Sequence, residues 1–227
     1  MSSQTSEWMS RYSRQILLPQ IGGIGQKKLD ESTVALVGTG SIARPLFLYG
    51  VGAGIGRWGI SGRDENQARE LADLGKERNP EVKIQIASLE KQLSANLELW
   101  VAEWSLVVDT SSEPTIQKRL AEVCQRRQIP LISAWSRGDT GWLLQSPCPV
   151  CLPDPGIPDL AAGDSALSKM LPGLLGTFLA QQAIKTLITP PAKIQPPQLT
   201  GFQARTSTFF QQKTDKNPTC PYCNLGQ

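Results

Sequence analysis

The sequence predicts an α/β fold, a doubly wound and mostly parallel sheet with antiparallel strands toward the C-terminus. Three observations predict it. Over the first 135 residues short continuous apolar runs alternate with helical patterns, as in parallel sheets covered on both faces. One of those runs, "TVALV" at 33–37, ends in the glycine turn "GTGSIA". After Trp135 the pattern changes, and "DTGWLLQ" reads as an antiparallel strand.

The elements follow in order. Trp8 to Leu18 reads as a helix, with a turn at Pro19. "IGGIGQKKL" carries three glycines and predicts a loop before a second short helix. Thr33 to Val37 is a buried strand. Ser41 to Val51 is a helix that tolerates Pro45 only in its first turn. "GRWGIS" is a second strand, and "DENQARELADLGKERNP" is a helix stopped at Asn79-Pro80. "EVKIQIA" alternates as a strand, "LELWVAEW" is a short helix, and "SLVVDT" is another buried strand. "PTIQKRLAEVCQRRQ" is a helix and "IPLISA" a further strand. Beyond them come a Pro-rich loop with cysteines (147–158), an apolar helix from Gly173 to Leu187, a Pro-rich connector, and one or two strands in "GFQARTSTFFQQ". The expected organisation is one domain: an N-terminal helical arm (1–32), a nucleotide-type half (33–135) and a partner-binding half (136–227).

Composition bounds the function. The chain has 227 residues, 40% of them hydrophobic, enough to bury a real core. Its net charge is +3, with mixed signs and no basic run interleaved with aromatics, which argues against nucleic acid as a partner. The apolar stretch 170–188 contains Gln181, Gln182 and Lys185. It reads as a buried amphipathic helix and not as a membrane span. "MSSQTSEWMSRYSRQ" has no apolar signal-type core, and the expected compartment is the cytoplasm. Histidine is absent, which excludes Ser-His-Asp and Cys-His catalysis and any histidine-ligated metal.

Four of the five cysteines form two Cys-x-x-Cys pairs, Cys148 with Cys151 and Cys220 with Cys223. Two such pairs from distant parts of a chain suit a tetrahedral, all-thiolate zinc site. The alternatives are two disulfides, which conflict with a reducing compartment, or a redox dithiol, which is expected between a strand and a helix and not in Pro-rich loops. A four-cysteine zinc ion has no open position, so its role would be to tie the C-terminus to the sheet. Cys124 lies on an apolar helix face and reads as core.

Gly38-Thr39-Gly40-Ser41-Ile42-Ala43 fits G-x-G-x-x-A between strand and helix, the Rossmann-like phosphate turn. The first glycine permits the turn, the second lets phosphate approach, and the small third residue lets helix and strand pack. Gly38, Gly40 and Ser41 are therefore candidate cofactor contacts at the helix N-terminus. A dinucleotide site also needs an acid at the end of the second strand, where this chain has Gly62. Asp64, two residues on, has two readings: a substitute for that acid, or the N-cap of the next helix.

"RYSRQILLPQIGGIGQKKL" followed by "VALVGTGSIA" resembles the start of the ThiF/MoeB/HesA family, bacterial relatives of the ubiquitin-activating enzymes. The likeness continues through Asn79-Pro80, "LVVDT", "IPLISA", "PCPVC", "LPGLLGTFLAQQAIKTL" and "NPTCPYC", covering nearly the whole chain in order. It implies ATP with magnesium as cofactor. The implied reaction is adenylation of the C-terminal glycine of a ubiquitin-like sulfur-carrier protein, in molybdopterin- or thiamin-type biosynthesis. It also implies that Cys148, Cys151, Cys220 and Cys223 ligate zinc, and that the protein dimerises. In dimeric members the second arginine of R-Y-x-R-Q reaches into the neighbouring subunit's ATP site, and Arg14 holds that position here. A structural tie between helix and domain is the competing reading of Arg14.

The chain departs from the family at the reaction site. Gly62 replaces the ribose aspartate, and the following segment with its Asn, Arg-Gln and Lys is missing. Arg69 and Lys76 stand nearby on an amphipathic helix, where solvated charges are expected. The family's D-x-x-D-N corresponds to "DTSSE", with Asp109 kept and Ser112 in the metal position. No cysteine stands in 153–170, where some members keep a thiol. Losing several charge-assisted contacts costs several kcal/mol in sum. The sequence therefore predicts a degenerate, non-catalytic or partner-dependent homologue, whose partner is a catalytic homologue or a ubiquitin-like protein, in a homo- or heterodimer. The alternative is an active adenylyltransferase with a remodelled site. An NAD-dependent oxidoreductase is opposed by the missing acid and the cysteine pairs.

Overall fold

The computed structural model describes residues 6–89, 97–145, 166–189 and 198–213. Its described strands form one eight-stranded sheet in the order β3-β2-β1-β4-β5-β6-β7-β8. Strands β1 (Thr33–Val37), β2 (Arg57–Gly62), β3 (Lys83–Ser88), β4 (Leu106–Asp109) and β5 (Leu131–Arg137) run parallel. Strands β6 (Thr140–Gln145), β7 (Gln198–Gln203) and β8 (Thr208–Lys213) continue antiparallel. The predicted change after Trp135 is thus a change of pairing within one sheet, and β5 carries both kinds of neighbour.

Helices cover both faces. The apolar runs feed them alternately: Val34 and Leu36 of β1 point to one core, Ala35 and Val37 to the other. The first core is closed by α3 (Ala43–Ala53), α4 (Glu65–Arg78) and α7 (Leu171–Ile188). The second is closed by α5 (Leu97–Val101) and α6 (Pro114–Arg127), with Trp100, Trp104 and Cys124 buried in it. Burial pushes the Cys124 thiol up to about 12, so it is an inert core group. No described helix is long and apolar enough to cross a membrane.

Local chemistry sets the helix ends. Pro45 lies in the first turn of α3, where its missing N–H costs nothing. Gly54 ends that helix at φ +94, its N–H donating to the Gly50 and Val51 carbonyls. A Cβ there would lie 2.5 Å from Gln26 Nε2. Pro114 starts α6.

The glycine-rich segment differs from the sequence expectation. It is no loop: Gly22–Glu31 is helical and forms α2. Glycine in a helix costs up to about 1 kcal/mol each, and of the three only Gly25 is closely packed. A Cβ on Gly25 would lie 3.3 Å from Ile21 Cγ2 and 3.8 Å from Ile188 Cγ2 of α7. The helix also buries Gln26 completely. Its Nε2 donates to the Ala53 carbonyl at 3.0 Å, and Gln15 Nε2 donates to Gln26 Oε1 at 2.6 Å and to the same carbonyl at 2.9 Å. These bonds moor α1 (Ser6–Ile16) to the end of α3.

Candidate functional site

The parallel strands β1 and β4 are adjacent, while their following helices leave to opposite faces. That divergence opens a crevice beyond the strand ends, the usual binding place in open α/β sheets. A cleft of about 360 Å³ lies there, lined by the glycine turn, the start of α4, the loop after β4 and Ser136.

The glycine turn is built as its sequence predicts. Gly38 sits at φ +96, and a Cβ would meet Ser111 N, Thr110 C and Thr110 Oγ1 at 2.8 Å. No other residue fits that position without displacing backbone. The turn is stitched on both sides: Gly38 N donates to the Ser61 carbonyl at 2.7 Å, and Thr110 Oγ1 donates to the Val37 and Gly38 carbonyls. Gly40 has nothing within 4 Å of where a Cβ would be. Together with the exposed Ser41, it leaves the approach to the N-terminus of α3 open.

The end of β2 holds no acid. The Cβ position of Gly62 is 2.7 Å from both Thr39 Cγ2 and Thr39 Oγ1, so Thr39 occupies the space above it. Thr39 Oγ1 donates to Gln67 Oε1 at 3.1 Å. Asp64 caps α4, its Oδ1 accepting from Asn66 N at 2.9 Å and Gln67 N at 3.4 Å. Asp64 also lines the cleft. Arg69 pairs with Glu65 at 2.8 Å and is exposed. Neither Arg69 nor Lys76 is among the cleft's lining residues.

On the β4 side, Asp109 is fully buried and is not among those lining residues. Its Oδ1 accepts the Ser111 amide at 2.9 Å, while Oδ2 has no partner. Burial pushes its carboxyl up to about 6, against the Ser111 hydrogen bond and with the help of the Glu113 charge. Ser112 is exposed at φ +58, an unusual conformation for a non-glycine residue. Arg63, the one basic residue among the described lining residues, is ion-paired with Glu113 across the cleft.

Arg14 is not among the cleft's lining residues. It is exposed on α1 and makes no hydrogen bond or ion pair to any described residue. The ties between α1 and the domain include Gln15, Arg11, whose Nη1 donates to the Arg78 carbonyl at 3.0 Å, and buried Tyr12, whose hydroxyl accepts from Asn79 Nδ2 at 3.1 Å.

Cys148, Cys151, Cys220 and Cys223 lie outside the described residues. The strands that lead to them do not. Gln145 at the end of β6 pairs with Gln198, which pairs with Lys213 at the end of β8. Two strand spacings, about 10 Å, separate the two exits. Cys148 follows three residues after Gln145, and Cys220 seven after Lys213.

Sequence reasoning found the turn, the missing acid and the Asp64 cap. It missed Thr39, Gln67 and the Arg63–Glu113 pair. The x of a G-x-G is not constrained by the motif, and contacts between β1, β4 and the start of α4 are long-range.

No protein-family model matches the chain. It is 30% identical over 243 residues to the adenylyltransferase and sulfurtransferase MOCS3 of Anopheles gambiae, covering 95% of this chain and 55% of that protein. It is 26% identical to the sulfur carrier protein adenylyltransferase of Thermus thermophilus, covering 96% of this chain and 92% of that one. It is 28% identical to the SAMP-activating enzyme E1 of Haloferax volcanii, with 96% and 90% coverage. The chain spans about half the length of the MOCS3 relatives it matches. Among solved structures, the fold resembles E. coli MccB with ATP (TM-score 0.73, 17% identity, 94% of this chain and 74% of that one). It also resembles PaaA (TM-score 0.70, 17% identity, 96% and 76%).

Proposed function

We propose that this chain, a homologue of the sulfur-carrier adenylyltransferases of the ThiF/MoeB/HesA type, is a degenerate member that does not turn over ATP alone and acts through a partner. The observation that carries the reading is the charge inventory of the cleft. Adenylation gathers a triphosphate, magnesium and a carboxylate, and its transition state needs fixed positive charge and metal ligands. Here the metal position is Ser112, the ribose position is Gly62, and Arg63 is neutralised by Glu113. Asp109 holds its charge away from the cleft.

Arg14 supports the partner-dependent part. Its exposed side chain has no hydrogen bond or ion pair among the described residues, on a helix held by its neighbours. An arginine so placed is available to the active site of another subunit, either a second copy or a catalytic homologue. The substrate of such an assembly is a ubiquitin-like sulfur carrier.

The same reading assigns a structural zinc ion to Cys148, Cys151, Cys220 and Cys223. The shared register row of Gln145 and Lys213 supports it, as does the thiolate donor set.

ATP-dependent pyrophosphate exchange, measured with a sulfur-carrier protein and magnesium, tests the function. No exchange by the chain alone, with exchange gained or enhanced on adding a catalytic homologue, is the expected result. Exchange by the chain alone overturns it in favour of an active, remodelled site.

A further inference from the structure

Among the groups lining the cleft, the pair formed by Thr39 and Gln67 has no role in the reaction described above. Thr39 fills the space above Gly62, where a carboxylate would otherwise leave the strand to accept sugar hydroxyls. Its hydroxyl donates to Gln67 Oε1 at 3.1 Å. Gln67 is in the first turn of α4, and its backbone is fixed by the Asp64 cap. With Oε1 engaged, the two N–H groups of Gln67 Nε2 have no partner among the described residues, and the side chain lines the cleft. A short strand-to-helix connection has therefore brought an amide to the corner where the acid is missing.

We propose that Gln67 is the residue that reads the sugar hydroxyls of a nucleotide in this cleft, with Thr39 as its positioning residue. The proposal rests on the cleft being the nucleotide site of the homologous enzymes, and it requires binding only, not turnover. A vicinal diol presents oxygen lone pairs that the Nε2 donors can meet. A carboxylate accepts from both hydroxyls, whereas a neutral amide makes a neutral hydrogen bond of lower strength. The cleft should thus prefer a ribonucleotide over its dideoxy analogue by only about fivefold.

Titration calorimetry of ATP–magnesium and of 2′,3′-dideoxy-ATP–magnesium into the full chain tests this, with nucleotide up to millimolar concentration. Wild type is expected to bind ATP about fivefold more tightly than the dideoxy analogue. Gln67→Ala should bring that ratio to one without changing affinity for the analogue, and Gln67→Glu should keep or raise it. Thr39→Val, which keeps the fill and removes the hydroxyl, should lower the ratio while leaving dideoxy-ATP affinity unchanged. Circular dichroism checks that each variant is folded. No binding by wild type, equal binding of both nucleotides, or an unchanged ratio in Gln67→Ala overturns the proposal. Pyrophosphate exchange in the same samples reads the function separately: exchange by wild type alone refutes the degenerate reading and leaves the ratio untouched.

Discussion

Thr39 stands directly over Gly62, with two of its side-chain atoms 2.7 Å from where any other residue would carry a Cβ. The absent acid and the threonine are therefore one steric unit. Gly62→Asp should destabilise the protein by about 1–3 kcal/mol through overpacking. Thr39→Gly combined with Gly62→Asp should recover part of that loss. Chemical denaturation of the two single variants and the double variant measures the coupling, and strict additivity would show that the two positions are independent.

Asp109 makes stability depend on pH. Burial disfavours its charge and pushes the folded carboxyl from the ordinary 3.8 up to about 6. The folded state therefore holds a proton that the unfolded state has released between those values. Its contribution is full below the lower value and is lost as pH rises through about 6. Asp109→Asn should flatten the fall in stability between about pH 4 and 6, a span on the order of 2 kcal/mol. Urea unfolding across that range decides it; an unchanged slope in the variant would assign the pH dependence elsewhere.

Arg14 and Gln26 should separate function from stability. Arg14→Ala removes no hydrogen bond or ion pair to the described residues and should change stability by less than about 0.5 kcal/mol. It should abolish any stimulation of a catalytic partner. Gln26→Ala empties a fully buried site and leaves Gln15 Nε2 short of a partner. A loss of about 1–3 kcal/mol is expected. Thermal unfolding beside the stimulated exchange assay reads both effects.

Zinc should be stoichiometric with the chain. Metal analysis of protein purified without chelator is expected to give one zinc per chain, and a strong chelator should lower the melting temperature. Cys220→Ser should abolish the metal. Metal-free protein with unchanged stability would point to the disulfide or dithiol alternatives.

Most of the sheet was legible because its signals are local. Continuous runs such as "TVALV" and "LVVD" are short, apolar and bounded, and they are buried on both faces. The Asp64 cap was legible because capping acts within three residues. The helical state of Gly22–Glu31 was not, because its run of glycines reads locally as a loop, while the packing of Gly25 beside Ile188 is long-range. The occupant of the space above Gly62 was equally hidden. Thr39 follows β1 and Gln67 lies on α4 after β2, and the parallel pairing of those two strands brings them together. The Arg14 position came from resemblance, while its lack of a hydrogen bond or ion pair among the described residues emerges only with the helix in place.

Strand β5 has a consequence for how such a protein changes over time. It is paired to β4 in one direction and to β6 in the other, so the parallel half and the antiparallel half of the sheet have a strand in common. Neither half can be discarded without baring a sheet edge seven residues long. A lineage that abandons the chemistry can do so only by exchanging side chains and shortening loops around an intact scaffold. Positions 62 and 112 lie at a strand end and in a loop, where such exchanges leave the pairing of the sheet in place.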